Sequence, residues 1–274
     1  MMKRMFRMAS LAAALLLAGC QAVNTTSGGA VGVQRQQYML GGLSSVQLEQ
    51  MYAQSYRETL DKAAKAGRLD RNSALARRVD AVTRRLIAQT PAFRPDARGW
   101  QWETGLILSD ELNANVGPGG KIIVYSGLIQ RLDLSDDELA AVLGHEIAHA
   151  LREHSREAIS RAYGAELAKQ GAVALLGLGA AGNQLADVAI QYGMTLPNSR
   201  GHENEADLIG LELAARAGYD PNAALSLWAK MAQAGNGAPP EFLSTHPASS
   251  TRIANLRAAI PRVMPLYEQA SGQH

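Results

Sequence analysis

The chain has 274 residues and a mass of 29.2 kDa, enough to bury a substantial core. With 47% hydrophobic and 19% charged residues it is neither disordered nor a polyelectrolyte. The formal charge of +2 includes Lys3, Arg4 and Arg7, which sit in a leader-like segment; without them 24 basic residues face 25 acidic ones. That balance argues against nucleic acid as a partner, which usually demands a strong basic excess. Cys20 is the single cysteine, so an intramolecular disulfide and a multi-cysteine metal cluster are both excluded. Aromatic residues are only 5%, which favours close-packed helices over a β-sandwich.

Residues 1–19 read as a secretory leader: a basic start, an apolar run from Leu11 to Ala18, then small residues. The run is too short to span a bilayer. Leu17-Ala18-Gly19-Cys20 resembles the bacterial lipobox, in which cleavage leaves the cysteine acylated. Several acyl chains make a lasting anchor where one does not. Cys20 is therefore the expected lipidation site. Gln21 after it, rather than Asp, points to the outer membrane more than the inner. Residues 20–44 are polar and Gly-rich, and read as a flexible tether carrying the lipid.

Beyond the tether one domain is expected over 45–270. Helical periodicity covers 46–66 and 72–88, the latter with Leu75, Val79, Val82 and Leu86 as its apolar stripe. Eight arginines and three aspartates fall between Gly67 and Arg98, most simply a solvated helix face. Segments 100–109 and 114–125 read as extended, with Pro118-Gly119-Gly120 making a turn between them and Ile122–Tyr125 as a β-rich run. Ser135 and Glu138 have capping-box spacing, and the acidic first turn of this helix suits its dipole. Further helices are expected at 158–169 and 204–217. Between them, 171–182 is Ala/Gly/Leu-rich and too short to cross a membrane; it reads as a packed helix or a flap.

The informative stretch is His145-Glu146-Ile147-Ala148-His149. On a helix, residues four apart share a face, so both imidazoles can reach one ion, with Glu146 offset towards an attacking water. The frame of Leu139, Val142, Leu143, Ile147 and Leu151 is apolar, and burying two histidines and a glutamate there is costly without a purpose. A catalytic zinc site needs a third protein ligand. The chain has Arg152 and Ser155 where a metzincin requires glycine and histidine, which excludes that class. Glu203-Asn204-Glu205-Ala206-Asp207 offers the third ligand 54 residues after His149. Glu203 is favoured because Asp207 stands one turn on, able to accept the outer N–H of a ligand histidine. Glu205 and His202 are the competing ligands. His154, five residues past His149, is read as pointing to a different face and as structural.

These motifs resemble the membrane-associated gluzincin zinc metalloproteases, the family of HtpX, the CAAX prenyl proteases and the lipoproteins LoiP and BepA. Asn113-Ala114, Pro118–Ile122 and Ser126-Gly127-Leu128 are similar to the family's edge strand and turn. Arg200 fits the approach to the third ligand, and Thr245-His246-Pro247 with Arg252 fits the C-terminal motif. The resemblance implies a mainly helical α+β fold with a small sheet beside the HExxH helix. It implies one zinc ion per chain on His145, His149 and Glu203, with Glu146 as general base and then acid. Asn113, Ala114 and Asn115 would pair with a substrate backbone. His246 would stabilise the oxyanion or, in a latent form, occupy the metal, and Arg252 would support either role. The expected function is endoproteolysis of misfolded or unassembled envelope proteins on the periplasmic side of the outer membrane, with the outer-membrane assembly machinery as a possible partner. A periplasmic chaperone with a structural or latent zinc is the alternative. Lacking membrane-spanning and repeat extensions, the chain fits the compact lipoprotein type.

Overall fold

Residues 103–125 build the sheet on which the candidate site rests. The computed structural model describes residues 20–175, 199–234, 241–247 and 249–272. The leader 1–19, most of the 171–182 segment and the terminal His274 lie outside them. Strands β3 (Leu69–Asp70), β4 (Glu103–Ile107), β5 (Ala114–Gly117) and β6 (Lys121–Tyr125) form a four-stranded sheet in the order β3-β4-β6-β5. β4 and β6 run parallel, pairing Glu103 with Lys121 and Ile107 with Tyr125, while the other two pairings are antiparallel. The β5–β6 reversal uses Gly119 and Gly120, with φ of 74° and 81°, a backbone region that L side chains rarely enter.

Alternation along β6 sorts the sheet into two faces. Ile122 and Val124 enter the main core, whereas Ile123 and Tyr125 join Tyr52, Tyr56, Leu60 and Ala63 of α1 (Ser45–Lys65) on the other side. The main core lies between the first face and α2 (Ala74–Ile87), α4 (Asp136–Leu151), α6 (Arg200–Arg216), α7 (Ala223–Ala234) and α9 (Ser250–Ser271). Short α3 (Ser126–Arg131) follows β6 directly, α5 (His154–Leu175) follows α4, and α8 (Glu241–Thr245) precedes α9. The architecture is the expected mainly helical α+β fold. Among the described residues no helix is long and apolar enough to cross a membrane.

Helix α4 is the hub. It opens on a complete capping box, Ser135 accepting from Glu138 N–H and Glu138 accepting from Ser135 N–H. From Glu138 to Leu151 every residue but Ala141 is buried. Leu139, Val142, Leu143, Ile147 and Leu151 are fully covered, each contributing about 1.5–3 kcal/mol of transfer free energy. That apolar surround holds the polar residues of this helix in place.

Residues 20–44 depart from the expectation of a flexible tether. Strand β1 (Cys20–Val23) pairs antiparallel with β2 (Gln37–Leu40), and the loop between them is stitched into the domain. Val31, Val33 and Met39 are buried, Val31 N–H donates to Glu212, and Leu40 N–H donates to Ser160 Oγ. The glycines that suggested flexibility are turn residues here, Gly29 and Gly32 having positive φ. This strap covers charged groups on α4, α5 and α6.

Candidate metal centre

The i,i+4 spacing on α4 places the ring centroids of His145 and His149 4.7 Å apart and their Nε2 atoms 3.1 Å apart. Helix α6 crosses α4 in backbone contact: a Cβ on Gly210 would stand 2.6 Å from His145 N, and one on Gly144 would stand 2.8 Å from Gly210 O. Ser199 caps α6 by accepting from His202 N–H, four residues earlier than the sequence pattern suggested, so Glu203 falls in the first turn. Its Oε1 lies 3.3 Å from His149 Nε2 and its Oε2 3.5 Å from His145 Nε2. His246, just past α8, brings Nδ1 to 3.0 Å from Glu203 Oε1 and 3.3 Å from His145 Nε2. The four ligand atoms lie within 4.8 Å of one another, and all four residues are buried.

This donor set fits a zinc ion. Bonds of about 2.0–2.1 Å at tetrahedral angles give ligand–ligand edges of roughly 3.3 Å, and the donor atoms around His145 and Glu203 stand 3.0–3.5 Å apart. The outer nitrogens reinforce the point. Asp207 Oδ1 is 3.0 Å from His145 Nδ1, and Arg252 donates to both oxygens of the same group, Nη2 to Oδ1 and Nε to Oδ2, so Asp207 acts as a carboxylate and His145 donates to it. His154 Nδ1 is 2.8 Å from His149 Nδ1. With both outer nitrogens donating, two Nε2 lone pairs face each other at 3.1 Å. That is repulsive until a cation sits between them. Glu146 Oε1 is buried and, at 3.3 Å from His246 Nε2, lacks a well-formed hydrogen bond, a further cost that a cation would offset, whereas Glu203 Oε2 is paired with Arg252 Nη1 at 2.7 Å.

The electrostatics agree. Burial holds His149 well below the usual histidine range, keeping it neutral as a ligand must be. Burial pushes Glu203 up, but the imidazoles of His149 and His246 beside it outweigh that and keep it a carboxylate. Glu146 is raised, chiefly by burial and against the pull of His246 and His145, and its Oε1 stands 3.3 Å from His246 Nε2. A carboxyl moved towards neutrality is suited to take and return a proton. Arg252 pairs with Glu203 at 2.7 Å as well as with Asp207, and its guanidinium lies 4.1 Å above the Trp228 ring. One buried cation thus braces two acids on α6.

Strand β5 is the sheet edge next to α4, and it contains Ala114 and Asn115; Asn113 immediately precedes it. Tyr52 O–H donates to Asn115 Oδ1 at 2.5 Å, Asn113 C=O accepts from Tyr125 N–H, and Ala114 is buried. The competing ligands lie elsewhere: His202 Nε2 is 3.1 Å from Glu157, and Glu205 is bound by Arg35, Arg152 and His154. The reading of His154 needs correction. Helix α4 ends at Leu151, Glu153 adopts φ of 50°, and α5 restarts at His154, which turns that ring back onto His149. A continuous helix would have carried it about 140° round from His149. Sequence reasoning also missed Arg35 and Arg152; the only hint was a cluster of charge directly after an apolar helix.

Known proteins bear on this geometry. The sequence pattern of peptidase family M48 matches residues 73–260. Mitochondrial metalloendopeptidase OMA1 of Schizosaccharomyces pombe is 38% identical over 176 residues, which cover 64% of this chain and 51% of that protein. The Saccharomyces cerevisiae protein of the same name is 36% identical over 180 residues, 63% of this chain and 51% of its own. The beta-barrel assembly-enhancing protease of Escherichia coli K12 is 32% identical over 182 residues, 61% of this chain and 36% of its own. The chain thus spans about half the length of the fungal relatives and about a third of the bacterial one. The family match takes in both α4 histidines, Glu146, Glu203, Asp207, His246 and Arg252. By that match the chain belongs to peptidase family M48, whose metalloproteases are zinc-dependent.

Proposed function

We propose that the chain is a zinc endopeptidase in which His145, His149 and Glu203 hold the metal and Glu146 is the general base and then acid. The observation that carries this reading is the convergence of three imidazole nitrogens and one carboxylate within 4.8 Å of one another, beside a buried, raised Glu146. Zinc, when bound, supplies a Lewis acid for the scissile carbonyl and makes water a better nucleophile. Glu146 takes the proton of the attacking water and passes it to the leaving amine. Asn113, Ala114 and Asn115 receive the substrate backbone along the edge of β5 that no other described strand pairs with, as an added strand, which reads shape more than sequence. Asp207 fixes the tautomer of His145, and Arg252 holds Asp207 and Glu203 in register.

His246 stands at the fourth position of the ligand cluster rather than beyond it, which supports a latent resting form whose side chain must leave before a substrate enters. A closed four-ligand site is also what a structural zinc would have, so a chaperone with latent zinc is the second reading. The setting we propose is the periplasmic face of a bacterial outer membrane, with Cys20 as the lipid anchor and unassembled envelope proteins as substrates. The name of the bacterial relative supports this setting, whereas the fungal relatives are named as mitochondrial.

The test uses the chain from residue 20 onward as wild type and as Glu203→Ala, Glu146→Gln and His246→Ala. Zinc content after dialysis and cleavage of a labelled unfolded protein are both measured. Near one zinc per chain is expected in wild type, with most of it lost in Glu203→Ala. Glu146→Gln should retain zinc and lose cleavage by at least about a hundredfold. His246→Ala should cleave faster than wild type. A zinc-free wild type would refute the ligand reading. Glu146→Gln that still assists outer-membrane protein assembly as wild type does would favour the chaperone.

A further inference from the structure

Beneath the metal ligands lies a buried polar layer that proton transfer does not use. Arg152, His154, Glu157 and Glu205 are all buried; Arg152 and His154 meet at Glu205, and Arg35 of the N-terminal strap joins Glu205 to Glu157. Glu205 Oε2 accepts from Arg152 Nε at 2.9 Å and lies 3.2 Å from His154 Nε2, and Glu205 Oε1 is paired with Arg35 of the strap. Arg35 also forks onto Glu157, with Nη1 and Nη2 at 2.7 and 2.8 Å. Arg152 in turn donates to Asn24 Oδ1, Thr26 Oγ1 and the Arg35 carbonyl. Glu157 receives His202, whose ring stacks on His154 at 4.3 Å and 8°.

Hydrogen-bond logic gives this layer a direction. Held by two guanidinium groups, Glu205 is a carboxylate and can only accept. His154 must then donate from Nε2, which leaves Nδ1 as an acceptor. His149 must donate from Nδ1 to His154, which leaves its Nε2 lone pair aimed into the ligand cluster. His145 obtains the same result directly from Asp207, whereas His149 obtains it through another imidazole.

We propose that His154 is a positioning residue that fixes the tautomer and orientation of His149, and that the strap segment 24–37 completes this chain by holding Glu205 through Arg35. The proposal rests on His149 being a metal ligand. The strap lies outside the 73–260 match to the family. The arrangement also explains why residues read as a tether are folded: their polar groups terminate a network that ends on His149.

The test measures zinc affinity by competition with a chromophoric chelator, and the thermal midpoint of the metal-free protein, for wild type, His154→Phe, His154→Gln and Arg35→Ala. His154→Phe keeps a ring against His202 but offers no hydrogen bond, and should weaken zinc binding ten- to a hundredfold. His154→Gln can accept with its oxygen and donate with its nitrogen, so it should stay within about threefold of wild type. Arg35→Ala should weaken binding several-fold. A purely structural role would lower the metal-free midpoint in all variants and leave zinc affinity unchanged, and would overturn the proposal. Equal weakening by Phe and Gln would overturn it too. If His154→Phe does not fold, unchanged affinity in Arg35→Ala decides against it. A wild type that binds no zinc refutes instead the ligand reading on which the proposal depends.

Discussion

The crossing of α4 and α6 makes a prediction whose sign the structure decides. Replacing a helix-interior glycine by alanine gains up to about 1 kcal/mol from propensity where there is room. At Gly210 there is none: the new Cβ would lie 2.6 Å from His145 N and 2.8 Å from both Gly144 C and His145 Cα. These are backbone atoms of the neighbouring helix, so relief requires the helices to part by roughly 0.8 Å to reach ordinary contact at about 3.4–3.5 Å. Overpacking of this kind costs about 1–3 kcal/mol, which exceeds the propensity gain. The same movement carries Glu203 and Asp207 away from His145, since they ride on α6 within two turns of Gly210. Gly164 on α5 is the control, because nothing lies within 4 Å of its missing Cβ. Thermal unfolding of the zinc-free protein and chelator competition for zinc should separate the two. Gly164→Ala should raise the midpoint by up to about 4 °C, at roughly 2–4 °C per kcal/mol for a chain of this size. Gly210→Ala should lower the midpoint by several degrees and weaken zinc at least tenfold. A Gly210→Ala protein with wild-type midpoint and wild-type zinc affinity would show that the helices do not need this contact.

Deleting residues 20–44 should not behave as removal of a tether. It leaves the buried guanidinium of Arg152 without Asn24, Thr26 and the Arg35 carbonyl, and Glu157 without Arg35. Breaking a buried ion pair costs about 3–5 kcal/mol, so a midpoint at least about 6 °C lower, or failure to fold, is expected. An unchanged midpoint by calorimetry would restore the tether. Acid titration of the zinc-free protein gives another outcome. Against burial, hydrogen bonds from His154 and Arg35 hold Glu205 down at about 2, and depressed carboxylates contribute stability above their unfolded value that is lost as pH falls through the folded one. Burial holds His154 at about 3, so the unfolded chain binds its proton first, from roughly pH 6.5 downward. Both effects favour unfolding in acid, while Glu146, raised by burial, and His246, raised against burial by Glu146 and Glu203, oppose them. Chemical denaturation should show stability falling from about pH 6.5 and more steeply between about 4.5 and 2. A flat profile over that range would contradict the buried network.

The legible parts of the fold were those whose signal is local. Helix α4 announces itself by a capping box and an unbroken apolar surround, and both are found. The turn at Gly119-Gly120 and the alternation along β6 are equally local, and they set the sheet. The terminal elements were not legible. Strands β1 and β2 are short, and β2 exposes Tyr38 beside the buried Gln37, an inversion of the usual pattern that only distant partners can enforce. Helix α9 carries Pro261 and Pro265, which argue locally against helix; packing of Leu256, Ala259, Ile260 and Val263 overrides them.

The site divides along the same line. His145, His149 and Glu146 follow from spacing, and Glu203 from the acid one turn beyond it. Yet the sequence also offered Glu205 as a competing ligand, and what fully separates the two is geometry followed by context. Two residues apart on a helix, their side chains point about 200° away from each other, so only one can face the α4 histidines. Glu205 faces Arg152 and Arg35, and Arg35 lies 170 residues earlier in a segment whose composition suggested no structure. A buried glutamate without those cations would be neutral or unfolded, and with them it becomes the fixed acceptor at the end of the His154 chain. The second glutamate of the motif thus has a reason to exist that its neighbours in sequence cannot supply. Exchanging roles by Glu203→Ala should consequently not recruit Glu205 to the metal, because its carboxylate is already held by two arginines and a histidine.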